Sequence, residues 1–292
     1  MNRSGGLFRV SALDAITIAL STIQIVVAVV GVAYFPNLSA PALFALAAGS
    51  GLLMFLNVNG LAHTLIHGGV FRSRALDAIA GVFNSLALGV PQTLYHVHHL
   101  NHHVGNSDRK QPDGSTRDWS SIYRFGRNGQ PEHVISYALL NLLRGDMRAM
   151  LAEVRRQRRG RRLLCESIAL GLGLVALARV DLRGFAWFYL PAFYVGWALA
   201  AADAYYKHWL VQPGDGYANS VSSYGSLYNW LTFNTGHHQE HHLRPNAHWT
   251  QLPRIRSEFA ERMRAHGTRV IRGPHLTSFL ERPRKAGLQE RT

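Results

Sequence analysis

Hydrophobic residues in this chain gather into long uncharged runs separated by polar, arginine-rich segments. Residues 12–35 are almost wholly apolar, interrupted by Asp14 and Gln24, and stop at Pro36-Asn37. Residues 42–62 carry no charge and lead directly into His63. About 20 apolar residues suffice to cross a bilayer as a helix. The loop between the two runs contains no Lys or Arg, so the pair predicts a transmembrane hairpin. Residues 163–178 and 185–206 predict a second one. The first of these is short and holds Glu166; the second carries Trp187, Phe188, Tyr189, Phe193, Tyr194 and Trp197, which suit a membrane setting. Residues 75–90 are apolar but short and end at Pro91. A crossing there would separate the histidines on its two sides, so this run is expected to lie in or dip into the interface.

The pattern predicts an all-α, polytopic membrane protein: one domain over residues 1–292, with four transmembrane helices at 12–35, 42–62, 163–178 and 185–206. Residues 68–162 and 207–292 are expected to form a cytoplasmic cap, with an interfacial helix at 75–90. Orientation follows from Arg155, Arg156, Arg158, Arg159, Arg161 and Arg162 before the third run, and from the Arg-rich tail after Trp249. The positive-inside rule puts both on the cytoplasmic face, the expectation for a bacterial inner membrane. The first run is too long for a signal core and lacks an evident cleavage site, so no cleavable leader is expected. The tail from about Gly273 is expected to be loosely ordered.

Composition narrows the chemistry. A formal charge of +14, from 31 basic and 17 acidic residues, could suggest nucleic acid, but the arginines flank apolar runs and no nucleic-acid motif accompanies them. They read instead as topology and lipid-headgroup signals. The single cysteine, Cys165, excludes an internal disulfide, a Cys-based zinc site and an internal iron–sulfur cluster. It sits in an apolar run and reads as a small buried hydrophobe.

Histidine carries the chemical signal. His63-Thr-Leu-Ile-His67, His99-Leu-Asn-His102-His103 and His238-Gln-Glu-His241-His242 lie at the ends of the hydrophobic runs. Residues three and four apart share a helix face, and neutral imidazole ligates transition metals. Such a cluster alone is weak evidence. Three on one expected side of a membrane suggest more than one metal ion.

His-x-x-x-His followed by two His-x-x-His-His boxes resembles the membrane-bound fatty acid desaturase superfamily, which also includes membrane hydroxylases. The resemblance runs from about Leu61 to Pro253 and takes in Asn234-Thr-Gly-His-His-Gln-Glu-His-His-Leu-Arg-Pro245. It implies a non-haem di-iron centre held by His63, His67, His99, His102, His103, His238, His241 and His242, with dioxygen as co-substrate. It implies a ninth ligand between the second and third boxes, for which His208 is placed. The segment Asp203-Ala-Tyr-Tyr-Lys-His-Trp209 looks like a degraded Asn-Tyr-x-Glu-His-Tyr-Gly box of alkane hydroxylases, with Ala204 and Lys207 replacing the Asn and Glu. His96, His98 and His237 adjoin the boxes as rivals for the ninth place or as supporting groups. His133, His248, His266 and His275 have no repeated partner, although His248 follows the third box closely enough to support it. Asp108, Asp113, Asp118 and Glu240 supply anionic charge that imidazole-bound iron requires nearby.

The resemblance implies an oxidoreductase that inserts a double bond into a fatty acyl chain, with a membrane lipid or hydrocarbon hydroxylase as the alternative. Electrons must come from outside, since neither a Gly-x-Gly-x-x-Gly fingerprint nor a fused haem carrier is present. A ferredoxin-like or other external donor with its reductase is expected, steered by the basic surface. Two remoter readings remain. His237-His-Gln-Glu240-His241 matches an inverted zinc-peptidase motif but leaves the first two boxes unexplained; a His-rich metal transporter would place its ligands inside the spanning runs.

Overall fold

The computed structural model describes residues 6–281. Among the described residues the regular structure is helical apart from one parallel pairing of two-residue strands, β1 (Ser222–Ser223) with β2 (Val270–Ile271), and an isolated antiparallel bridge between Phe8 and Phe71. Among the described residues four helices are long and apolar enough to cross a membrane: α1 (Asp14–Ala33), α2 (Ala40–His67), α7 (Gly160–Val180) and α8 (Leu182–Lys207). Between them lie α3 (Arg74–Leu88), α4 (Gln92–Gly105), α5 (Val134–Leu140) and α6 (Met147–Arg156), and after them α9 (Ser226–Leu231), α10 (His238–Leu243) and α11 (Leu252–Ala265).

The long helices are inside out relative to a water-soluble protein. On α1 the buried side chains include Asp14, Thr17, Ser21 and Gln24, while Ile16, Ile23, Val26 and Val30 are exposed. In a bilayer lipid is as apolar as leucine, so helices associate through close packing and polar contacts. Asn57 of α2 donates to Gln24 Oε1 at 2.9 Å, Ser21 donates to Asn57 Oδ1 at 3.1 Å, and Gln24 donates to the carbonyl of Ala87 at 2.7 Å. That chain ties α1, α2 and α3 together. Contact between α2 and α8 is closer still, because a Cβ on Gly196 would lie 2.7 Å from Met54 Cβ. Only glycine admits that approach.

The same inversion corrects the reading of Cys165, which is exposed. It lies on the outer, apolar face of α7, where an apolar neighbourhood means lipid and not core. Glu166, its neighbour, faces inward and accepts from the backbone N–H and hydroxyl of Thr93 at 2.7 and 2.9 Å. α7 begins at Gly160, so Arg161 and Arg162 belong to its first turn. The apolar run 75–90 forms α3, capped by Ser73 and closed at Gly89 with φ 66°.

The tail is more ordered than expected. His275 to Leu280 form a 3-10 turn, His275 is fully buried with Nε2 2.9 Å from the Val221 carbonyl, and the Glu281 carboxylate accepts from the backbone of Arg272 and Gly273. Residues 282–292 of the expected loose tail lie outside the described residues.

Candidate metal centre

Each histidine box sits on a helix terminus. His63 and His67 occupy the last turn of α2, after a π turn at Val58–Ala62. Gly60 in that turn lies so close to the Phe233 ring that a Cβ would come within 2.8 Å. His99, His102 and His103 share one face of α4, which stops at Asn106 in the left-handed conformation (φ 51°). His238, His241 and His242 form the short α10, and His208 is the cap residue that ends α8.

These four termini bring nine imidazoles together. One group comprises His63, His67, His99 and His241, and a second comprises His102, His208, His238 and His242. Within each group the ligand atoms all lie within 4.8 Å of one another. His103 joins them: its Nε2 is 3.0 Å from His99 Nε2 and 2.9 Å from His241 Nε2, and its ring centroid is 4.6 Å from that of His242. His208, a lone histidine in the sequence, has Nε2 3.1 Å from His238 Nε2 and its ring 4.6 Å from that of His102. None of His96, His98 and His237 belongs to either group. His237 instead approaches Glu240 at 3.5 Å.

The donor pattern fits a cation. An imidazole nitrogen that donates has no in-plane lone pair left with which to accept. His208 Nδ1 faces the Asn219 carbonyl at 3.0 Å and must donate to it, which leaves Nε2 as a bare lone pair. His242 Nδ1 faces Asn106 Oδ1 at 2.5 Å and is in the same position. Both Nε2 atoms point at His238 Nε2, each at 3.1 Å. His238 has one Nε2 proton at most, so hydrogen bonds cannot satisfy both contacts. In the first group His241 Nε2 similarly faces His63 at 3.1 Å and His103 at 2.9 Å. Shared positive charge resolves all of these contacts at once.

Electrostatics favour the neutral form of six of these rings. Burial first, then repulsion from neighbouring imidazoles, holds His99, His103, His238, His241 and His242 well below the usual histidine range. His208 is depressed for the same reason, with burial ahead of His102. Neutral imidazole is the form that ligates metal.

Asp118 supplies the nearest carboxylate. Its Oδ2 lies 2.7 Å from His102 Nδ1 and accepts from Ser107 N at 2.7 Å, while Oδ1 accepts from Ser120 N and Oγ. Burial opposes its charge, yet His102 and the Ser120 donors hold it below the usual carboxylate range. Gly105 makes the approach possible, because a Cβ there would lie 2.4 Å from Asp118 Cβ. Asp108 fixes the loop by accepting from Arg117 N and Asp118 N, and Asp113 closes an exposed turn through Ser115. Glu240 accepts from Ser222 and Tyr224, away from both groups, and so lacks the position an inverted zinc-peptidase motif requires. His248 is bound to Asp14 at 2.9 Å, tying the third box to the start of α1. His266 pairs with Asp215, and His133 caps α5 through Ile135 N.

Beneath the histidines lies a cavity of about 400 Å³, within the usual size range of small-molecule sites. His99, His102, His208 and His238 close one end; Leu94, Tyr95, Trp197, Ala200 and Ala201 form the walls. The far end is lined by Leu143 and Met147, both exposed at the connection between α5 and α6. One polar feature intrudes. The Lys207 ammonium is buried against Asp203 at 2.6 Å, Asn59 Oδ1 at 3.0 Å and Thr235 Oγ1 at 3.0 Å. All three ammonium donors are thereby used.

The histidine-bearing helix ends thus meet over an apolar cavity in a chain with four helices apolar enough to cross a membrane among the described residues, and the two histidine groups could each hold a metal ion. The fatty acid desaturase family model matches residues 37–274, and the chain belongs to that family. No curated protein matches it.

Proposed function

We propose that the chain is an oxygen-dependent di-iron desaturase that introduces a double bond into a fatty acyl chain. The observation that carries the reading is the convergence of nine imidazoles beside an apolar cavity that is also lined by the exposed Leu143 and Met147. His63, His67, His99, His103 and His241 would hold one iron; His102, His208, His238 and His242 would hold the other. Iron bound there supplies the one-electron redox chemistry that uses dioxygen to remove hydrogen from an unactivated methylene.

The remaining work falls to the protein. Leu94, Tyr95, Trp197 and Ala200 exclude water and hold the chain extended. Asp118, Asn106 and the Asn219 carbonyl fix the Nδ1 protons of His102, His242 and His208 and leave their Nε2 atoms free to ligate. Across the reaction two hydrogens leave adjacent carbons, dioxygen, two electrons and two protons are consumed, and two waters form. The electrons come from an external ferredoxin-like or comparable donor with its reductase, steered by basic residues such as Arg254, Arg256 and Arg264 on the exposed face of α11. The histidine face is assigned to the cytoplasm by the Arg-rich segments beside α7 and in the tail, as in a bacterial inner membrane.

Replacement of His103 or His242 by Ala tests the proposal. Each should abolish product and lower iron content while the protein remains in the membrane, because each removes a ligand and not a packing anchor. Wild-type iron and activity in either variant would refute the assignment.

A further inference from the structure

A second cavity, of about 110 Å³, reaches the same histidines from another side. His63, His67, His238 and His241 form its floor. Its rim includes Val10, Gly68 and Asn246, all exposed, and Arg9. The two cavities share Asn59, His63, Thr235 and His238 as lining. Between them runs a polar bar: Thr235 Oγ1 donates to Asn59 Oδ1 at 2.9 Å, and Lys207 donates to both.

Resting on the function proposed above, we infer that this second cavity is the entry port for dioxygen, separate from the cavity that takes the acyl chain. Size is the first argument. Water occupies about 30 Å³ of the liquid, and an apolar cavity of about 150 Å³ accommodates benzene. A space of about 110 Å³ admits ligands of a few heavy atoms and excludes a long chain. Order of binding is the second. An acyl chain drawn to the His99, His102, His208 and His238 lining of the large cavity fills that approach, so a co-reactant arriving afterwards is better served by another route. The floor of the small cavity offers it, because His63 and His238 face both spaces.

The mouth is also held open by built contacts. Arg9 N donates to the Val70 carbonyl at 2.8 Å, and Arg9 pairs with Asp77 at 3.0 Å, fixing the N-terminal strap along one side. On the other side Asp14 accepts from Trp249 Nε1 at 2.8 Å and holds His248 at 2.9 Å. Both walls are therefore anchored to the start of α1 and its leading strap, and neither depends on the acyl cavity.

Nitric oxide binding to the reduced, iron-loaded, detergent-purified protein tests the port independently of turnover, with stopped-flow absorbance as the readout. Gly68→Phe is the plugging variant, because a Cβ at this exposed position meets no atom within 4 Å. Val10→Trp, at an exposed strap position, is a second plug that leaves the neighbour of His67 untouched. Both should slow nitric oxide association by roughly tenfold or more, an added barrier of about 1.4 kcal/mol, with iron content unchanged. Leu143→Trp, at the outer end of the large cavity, should leave that rate alone, as should saturating the wild type with stearic acid. Wild-type association rates in both plugged variants, or a slow rate confined to Leu143→Trp or to stearate-filled protein, would overturn the port. A wild-type protein that takes up no iron would instead overturn the metal-centre reading, and the port with it.

Discussion

Asp118→Asn isolates the role of a single proton. The carboxylate is surrounded by donors alone: Ser107 N and His102 Nδ1 at Oδ2, both at 2.7 Å, and Ser120 N and Oγ at Oδ1, at 2.7 and 2.8 Å. An amide must turn its NH2 toward one side. Facing Oδ1's partners, it leaves the Ser120 N–H unpaired. Facing Oδ2's partners, it opposes the Ser107 N–H and forces His102 to accept at Nδ1, which moves the ring proton to Nε2, the nitrogen left for the cluster. An unpaired buried group costs about 1–3 kcal/mol. Disturbing the partner of a ligating histidine costs about 10–100-fold in metal affinity, or roughly 1.4–2.7 kcal/mol. The assay is iron retained per chain against a graded chelator, with Asp108→Asn as control. Asp108 holds the same loop through Arg117 N and Asp118 N without touching a histidine, so its loss should lower stability with little selective effect on iron. Equal iron retention in Asp118→Asn and wild type would refute the proton-fixing argument, and equal losses in the two variants would show that loop order alone matters.

Two further outcomes are expected. His208→Ala should cost activity and iron nearly as severely as loss of a box histidine, whereas His133→Ala, an exposed cap on α5, should leave activity unchanged; equal and mild effects in a product assay would remove His208 from the centre. Reporter fusions in the loop between Pro36 and Pro41 should read outside, and fusions after Val90 and after Pro253 inside; an outside reading after Val90 would break the assigned topology.

Much of the architecture was legible because membrane helices announce themselves by length and lack of charge, as at residues 12–35 and 42–62. The box histidines were legible for a related reason, since i, i+3 and i, i+4 spacing fixes a shared face before any tertiary contact is known. His208 had no such spacing. Its place at the site depends on where α8 ends relative to α10, and only the resemblance pointed to it. Asp108, Asp113 and Asp118 were indistinguishable as loop carboxylates; the close approach at Gly105 selects Asp118. Asn106 carried a weak signal as an Asn just past a helix end, a favoured left-handed position. The Asn219 carbonyl carried none, because every residue has one. Cys165 was misread since burial was judged by a soluble protein's rule. The order of residues 273–281 was missed because the contacts holding His275 and Glu281 are to backbone groups distant in sequence.

The most direct test joins metal analysis of the detergent-purified protein with lipid analysis of cells that express it. The account predicts about two irons per chain, the stoichiometry of a di-iron site, and a new double bond in acyl chains that is lost in His103→Ala. Protein without iron, or with iron and a new hydroxyl in place of the double bond, would contradict it.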